Sequence, residues 1–203
     1  MLTLIQTSPG ISQRGELRSV QARSDEGLVA AIAAGDRRAM EVLYTRHTVR
    51  VYRFVLRITK DRSLAEDIVS EVFIEIWRRA GSFKRKSQVS TWILAIARYK
   101  ALSALRGRSD AQIDEDAAAA IADPADDAET MMADRDRTAT IQKCLMQLSA
   151  PHREVLDLVY YHDKSVEEVA EIVGAPASTV KTRMFYARKR MESLLEAAGL
   201  GLH

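Results

Sequence analysis

Three groups of side chains in this 203-residue chain have types and spacing suited to chemistry. Asp67 and Glu71 stand four residues apart, which on a helix places two carboxylates on one face. Such a pair can shuttle protons, but no nucleophile is matched to a base and no glycine-rich phosphate loop occurs, so the pair is read as an exposed acidic face. The second group is Ser82-Phe83-Lys84-Arg85-Lys86-Ser87-Gln88-Val89-Ser90. Cations neutralise phosphates while Ser and Gln supply donors and acceptors for base edges, the mixture a loop needs to grip a single strand. A plain surface loop would have the same composition. The third group lies between Ile172 and Met191, where no acidic residue occurs and Lys181, Arg183, Arg188, Lys189 and Arg190 give five positive charges. A basic helix of this kind is the electrostatic footprint of a duplex-binding surface.

Elements that could position these groups follow from apolar spacing. Leu28 and Ile32 mark a short helix, and Asp36 can cap a longer one with Met40, Leu43, Tyr44, His47, Val51, Phe54, Val55 and Ile58 inward. That helix stops near Lys60-Asp61. Ser63 and Glu66 have capping-box spacing ahead of Ile68, Val69, Val72, Phe73, Ile76, Trp77 and Ala80, with a stop at Gly81. Ser90 or Thr91 opens a fourth helix with Ile93, Ile96, Ala97, Ala101 and Leu105 inward and Arg98, Lys100 and Arg106 outward, closed by Gly107. Trp92 and His47 are read as core packing, Trp92 with base stacking as the alternative.

Further along, Ile141, Cys144, Leu145 and Leu148 share a stripe, and Pro151 sits in the first turn of a helix carrying Val155, Leu156, Leu158 and Val159. Ser165 and Glu168 form a second capping box before Val166, Val169, Ala170, Ile172 and Val173. Gly174-Ala175-Pro176 breaks the chain before a last helix from about Ser178, with Val180, Met184, Ala187, Met191 and Leu194 inward. Two helices joined by a three-residue glycine-containing turn make the pattern of helix-turn-helix DNA readers.

Charge divides the chain further. Residues 1–106 hold 19 Lys+Arg against 10 Asp+Glu, residues 107–137 hold 3 against 10, and residues 138–203 hold 8 of each. The acidic, Ala-rich middle has too little branched or aromatic surface to offset the entropy of ordering, and is read as a linker. Two small helical domains, 24–106 and 138–203, flank it, and residues 1–23 are expected to be a loose, disordered extension. The fold class is therefore all-α. One cysteine, Cys144, cannot form an internal disulfide and is read as a buried core thiol, and four scattered histidines lack ligand spacing. No metal or cofactor is expected. Met1 to Gln13 lacks a leading basic segment and carries polar residues, so neither a secretory signal nor a span is expected, and the location is expected to be cytoplasmic.

The residues also resemble a known family. Ala65-Glu66-Asp67-Ile68-Val69-Ser70-Glu71-Val72-Phe73-Ile74-Glu75-Ile76-Trp77-Arg78, followed by Thr91-Trp92-Ile93-Leu94-Ala95-Ile96-Ala97-Arg98, resembles region 2 of bacterial sigma factors. Leu148 to Arg190, with Arg153-Glu154-Val155-Leu156, Val169-Ala170-Glu171-Ile172 and Thr179-Val180-Lys181-Thr182-Arg183, resembles region 4. Together they span about residues 25–106 and 138–195 in family order. With no room for further domains, the resemblance is to the extracytoplasmic-function group of the sigma-70 family.

The resemblance implies a non-enzymatic subunit that binds core RNA polymerase through the beta-prime clamp and the beta subunit and directs it to promoter DNA. It implies clamp contacts at Asp67, Ser70, Glu71 and Ile74, with Ser70 standing where the family often has the longer Gln. It implies capture of a base flipped from the −10 element by Lys84, Arg85, Lys86, Ser87, Gln88 and Ser90, with Arg98 nearby. For the −35 element it implies Ser178, Thr179, Lys181, Thr182, Arg183, Phe185 and Tyr186 at base edges and Arg188 and Arg190 at phosphates. The acidic linker is implied to thread toward the RNA exit path, and an anti-sigma factor is implied as a partner that holds the chain inactive. A one-component regulator that senses a ligand through residues 25–106 is the alternative, and binding to core polymerase discriminates the two.

Overall fold

The computed structural model describes residues 20–111 and 132–200, and every regular element among them is a helix. They are α1 (Asp25–Ala33), α2 (Arg37–Thr59), α3 (Arg62–Arg79), a short 3₁₀ turn (Ala80–Ser82), α4 (Val89–Ala111), α5 (Met132–Met146), α6 (Ala150–Tyr160), α7 (Val166–Val173) and α8 (Ala177–Ala197). The expectations for residues 1–19 and for most of the acidic tract lie outside the described residues.

Local chemistry sets the helix ends. Ser24 and Asp36 cap α1 and α2 by accepting from the amides of Gly27 and Ala39. The α2 helix ends on Lys60 in the left-handed conformation at φ 56°, and Asp61 then caps α3 by accepting from the Leu64 amide. The capping box expected at Ser63 and Glu66 is therefore not used. Asp61 sits two residues earlier, immediately after the reversal at Lys60, so the chain is already helical when it reaches Ser63. The Arg108 guanidinium, 2.6 Å from Asp61, holds the Asp61 carboxyl below the usual carboxylate range.

That contact bears on a second correction. Gly107 does not close α4, which continues to Ala111. An interior glycine costs a helix only about 1 kcal/mol, and Arg108 ties the extra turn to the α2–α3 corner. Residues 20–23 are likewise not loose: Val20 is buried against the first domain and the Gln21 carbonyl accepts from Arg46 at 2.5 Å.

The first domain packs α1, α3 and α4 around α2. Leu28, Leu43, Phe54, Val55, Ile68, Val72, Ile76 and Ile93 are fully enclosed, and truncating one as large as Phe54 should cost roughly 3–5 kcal/mol. His47 is the core histidine anticipated: it is buried, with Nε2 2.7 Å from Asp25 Oδ2. Burial works against the Asp25 carboxylate, but hydrogen bonds from Arg46 and His47 outweigh it and its pKa falls below the ordinary value. Two aromatic residues assigned inward lie at the edge instead. Tyr44 is partly exposed with its ring 4.7 Å from Phe73, and Trp77 is 38% exposed.

The second domain packs α6 and α7 against α8, and α5 also lies against α8. Val155, Leu158, Val169, Val180 and Ala187 make its centre. Cys144 is buried there, its Sγ donating to the Leu194 carbonyl at 3.6 Å. The two domains touch through α4 against α7 and α2 against α6.

Candidate nucleic-acid and partner interfaces

The outer face of α3 carries Asp67, Ser70, Glu71 and Ile74, all exposed. Their spacing of three and four residues aligns them in one stripe. Glu71 pairs with Lys100 on α4 at 3.0 Å, and the Ser70 hydroxyl donates to the Glu66 carbonyl of its own helix at 3.2 Å. Ile74 is 50% exposed, and with Trp77 three residues on it adds an apolar patch to the acidic stripe. Sequence spacing missed Trp77 because at 100° per residue it lies about 80° from Asp67, on the border between faces.

Beyond α3 the 3₁₀ turn leads into the loop at Phe83. Lys84, Arg85 and Lys86 are exposed, and Arg85 has a φ of 53°, a conformation non-glycine residues seldom adopt. Val89 is buried and anchors the loop to the core, while Phe83 lies 5.0 Å from Trp92 in a tilted pair. Trp92 is thus half-buried and packed on the domain. Ser87 is half-buried, and the Ser90 hydroxyl donates to Gln88 Oε1 at 3.4 Å.

In the second domain the capping box forms as the sequence predicts. Ser165 Oγ accepts from the Glu168 amide at 3.2 Å and Glu168 accepts from the Ser165 amide at 3.0 Å. Gly174 ends α7 at φ 65°, where a side chain would be strained, and both it and Ala175 send their amides to the Ala170 carbonyl. Pro176 then precedes the first turn of α8, completing the helix-turn-helix. On the outer side of α8, Ser178, Lys181, Thr182, Phe185, Tyr186, Lys189 and Arg190 are exposed, with Thr179 and Arg183 half-buried. The Thr182 hydroxyl donates to the Ser178 carbonyl at 3.0 Å, and the Phe185 and Tyr186 rings meet edge-on at 5.3 Å. Arg188 is turned toward α6, its guanidinium 5.8 Å from the centre of the Tyr160 ring.

Two family descriptions match the chain in this same order: Sigma-70 region 2 over residues 43–110 and Sigma-70, region 4 over residues 138–191. The ECF RNA polymerase sigma factor SigK of Mycobacterium ulcerans is 30% identical over 182 residues, spanning 87% of this chain and 97% of that protein. The chain belongs to the extracytoplasmic-function sigma factors of the sigma-70 family. The RNA polymerase sigma-H factor of Pseudomonas aeruginosa is 28% identical over 182 residues, covering 85% of this sigma factor and 94% of its relative. Among solved structures, the sigma factor RpoE of Bartonella quintana, in complex with the anti-sigma factor NepR, is 26% identical with a TM-score of 0.58. It covers 75% of this chain and 94% of its own. CnrH, in complex with the cytosolic domain of CnrY, shares the fold at a TM-score of 0.63 and 23% identity, over 85% of this chain and 97% of its own. Sigma factors are initiation factors rather than enzymes. Among the described residues no helix is long and apolar enough to cross a membrane.

Within this sigma factor, part of the loop described above meets the second domain. Lys164, in the turn before α7, is only 6% exposed. Its ammonium donates to Gln88 Oε1 at 3.3 Å, Ser90 Oγ at 2.6 Å and Glu168 Oε1 at 3.1 Å. Thr91, fully buried, donates to the same Glu168 oxygen at 2.5 Å. Burial raises the Glu168 pKa, but bonds from Thr91, the Ser165 amide and Lys164 overcome it, and the carboxylate stays below its ordinary value. Arg98 pairs two-pronged with Glu154 at 2.7 and 3.2 Å, and Arg57 pairs with Asp157 and lies 4.1 Å over the Tyr161 ring. Arg98, expected to face outward, instead faces region 4. A groove of about 570 Å³ opens beside this junction, walled by Leu56 on α2 and by Leu145, Leu156 and Met191 from region 4.

Proposed function

We propose that the α3 stripe, the loop after it and the outer side of α8 are respectively the polymerase, −10 and −35 contacts of this sigma factor. The observation that carries the reading is the α3 stripe: two carboxylates and a half-exposed isoleucine in line, none needed by the core beneath. A helix face of this kind fits a coiled-coil partner with complementary cations and apolar knobs. The α8 face then supplies duplex contacts and the cationic loop supplies single-strand contacts, with neither requiring a catalytic residue. An anti-sigma factor is the expected regulator, as RpoE was solved with the anti-sigma factor NepR bound. The groove between the regions gives such a partner apolar surface that touches both at once.

The test is core-polymerase binding by Asp67→Ala/Glu71→Ala, followed by fluorescence anisotropy of the labelled sigma factor. Both carboxylates face solvent, so helical content should be unchanged and affinity should fall by on the order of tenfold. Unchanged affinity removes α3 as the clamp contact. No binding of the parent protein to core at all would favour the one-component regulator instead.

A further inference from the structure

Lys164, Glu168 and Glu154 have no place among the contacts proposed above, yet Lys164 and Glu154 hold residues assigned to the −10 contact and Glu168 holds the neighbour of one. Gln88 and Ser90 accept from Lys164, the neighbouring Thr91 donates to Glu168, and Arg98 is gripped by Glu154. An ammonium has three donors, and here Gln88, Ser90 and Glu168 take all three. Gln88 Oε1 accepts from Ser90 as well as from Lys164, which takes both of its lone pairs. A base that enters the loop to use this oxygen must therefore displace one of them, and Lys164 is the one held by the other domain.

The carboxylates act in the complementary sense. Glu154 presents two oxygens to the Arg98 fork as a phosphate would, and Asp157 pairs with Arg57 on α2 through one oxygen. We infer that region 4 latches the −10 loop shut in the free sigma factor, with Lys164 filling the base-binding acceptors and Glu154 standing in for a phosphate on Arg98. The inference rests on the loop being the −10 reader.

The chemistry of the junction makes the latch reversible. Its named contacts are ion pairs and hydrogen bonds, together with one cation–ring contact and the edge of His162 against Phe54. Polar interfaces between domains of one chain resemble transient protein interfaces and open readily. When the domains part, Lys164, Glu154 and Asp157 regain water, and Glu168 keeps its cap on the Ser165 amide. Nothing is left buried and unpaired by opening. The exposed face of α8 takes no part in the junction, so a −35 duplex can be read while the −10 loop is closed.

The experiment uses the full chain carrying Cys144→Ala, with spin labels at the exposed positions Glu66 on α3 and Glu171 on α7. The distance between labels is measured for the parent and for Lys164→Met/Glu154→Gln. A fluorescent 12-nucleotide single strand of mixed sequence and a mixed-sequence duplex are titrated against both proteins. Apparent affinity scales with the fraction of competent molecules, so the double variant should lengthen the label distance, bind the single strand about tenfold more tightly and bind duplex within about twofold of the parent. Glu154→Gln alone, which keeps the shape of the side chain, should move the first two readouts the same way by a smaller factor, and it covers the case in which the buried Lys164 is needed for folding. Unchanged distances, or separated labels with unchanged single-strand affinity, overturn the latch. Lys84→Ala/Lys86→Ala placed in the double variant keeps the two readings apart. If it fails to weaken single-strand binding, the loop is not the strand reader, and it is the proposed −10 contact that falls.

Discussion

His162 offers a direct measurement of how the junction responds to protons. Its side chain is 3% exposed, its ring meets Phe54 edge-on at 5.4 Å, and neither ring nitrogen has a hydrogen-bond partner. Burial, followed by repulsion from Arg57, Arg50 and Lys164, pushes its pKa from 6.5 down to about 4, against a smaller upward pull from Asp163. Asp157 Oδ2 lies 3.5 Å from Nε2, but that carboxylate is already paired with Arg57. With the pKa depressed in the folded chain, the unfolded chain binds the proton first as pH falls. Stability from this residue is therefore complete above about pH 7 and is lost between 6.5 and 4. At 1.36 kcal/mol for each pH unit the full loss is about 3 kcal/mol, of which about 2 kcal/mol is gone by pH 5. His162→Leu removes the titration while roughly keeping volume, and the unpartnered nitrogens mean that it sacrifices no hydrogen bond. Urea unfolding of both proteins at pH 8, 6 and 5, followed by far-ultraviolet circular dichroism, isolates this contribution, because carboxylates that titrate over the same range are common to both. The native protein's stability relative to the variant should fall by about 2 kcal/mol from pH 8 to pH 5. A difference constant across that range would mean that the ring is hydrated or charged in the folded protein, and the packing of α2 against α6 described above would be wrong.

Other consequences are simpler to check. Ser165→Ala removes one half of the α7 capping box and should lower unfolding free energy by about 1 kcal/mol in urea titrations, whereas Glu168→Ala should cost more, because that carboxylate also binds Thr91 and Lys164. On α8, Arg183→Ala should weaken binding to the cognate −35 duplex by roughly 1–3 kcal/mol and flatten the preference at one base pair. Arg190→Ala, about two turns further along, should weaken all duplexes equally and reduce the salt slope by about one unit. Competition among −35 variants at several salt concentrations separates the two, and an unchanged ranking for Arg183→Ala removes the proposed docking of α8.

What was legible in the sequence was whatever is encoded over one or two helical turns. The Ser165–Glu168 box, the Asp36 cap, the turn at Gly174 and the acidic stripe of α3 all depend on neighbours within four residues or on a single periodicity. Where two local signals competed, spacing did not choose between them. Asp61 and Ser63 are both competent caps, and the left-handed Lys60 decides in favour of the first. Gly107 looked like a stop because its own propensity is poor, but the fate of α4 is set by Arg108 reaching Asp61, 47 residues back. The junction left no trace at all. Arg98 and Glu154 are 56 residues apart, Thr91 and Glu168 are 77 apart, and Arg57 and Asp157 are 100 apart. On its own helix each reads as an ordinary solvated charge or a core-facing hydroxyl.

The same distances explain why the junction can carry regulation without compromising either fold. Glu168 is held in place by the Ser165 amide whether or not Thr91 and Lys164 are present, so α7 is capped in the open and closed states alike. Lys164 contributes to neither hydrophobic core, and Glu154 and Arg98 lie on helix surfaces that would face water if the domains separated. Opening therefore exchanges these ion pairs and hydrogen bonds for water and parts the His162 edge from Phe54, and a ligand that binds only the open state draws the equilibrium toward it. A DNA strand has the right chemistry to do so. Its phosphates can replace Glu154 on Arg98, and its base edges can replace Lys164 on Gln88 and Ser90. The contacts that Arg98, Gln88 and Ser90 lose when the latch opens thus have successors in the promoter complex, and the strand competes with region 4 for the same atoms.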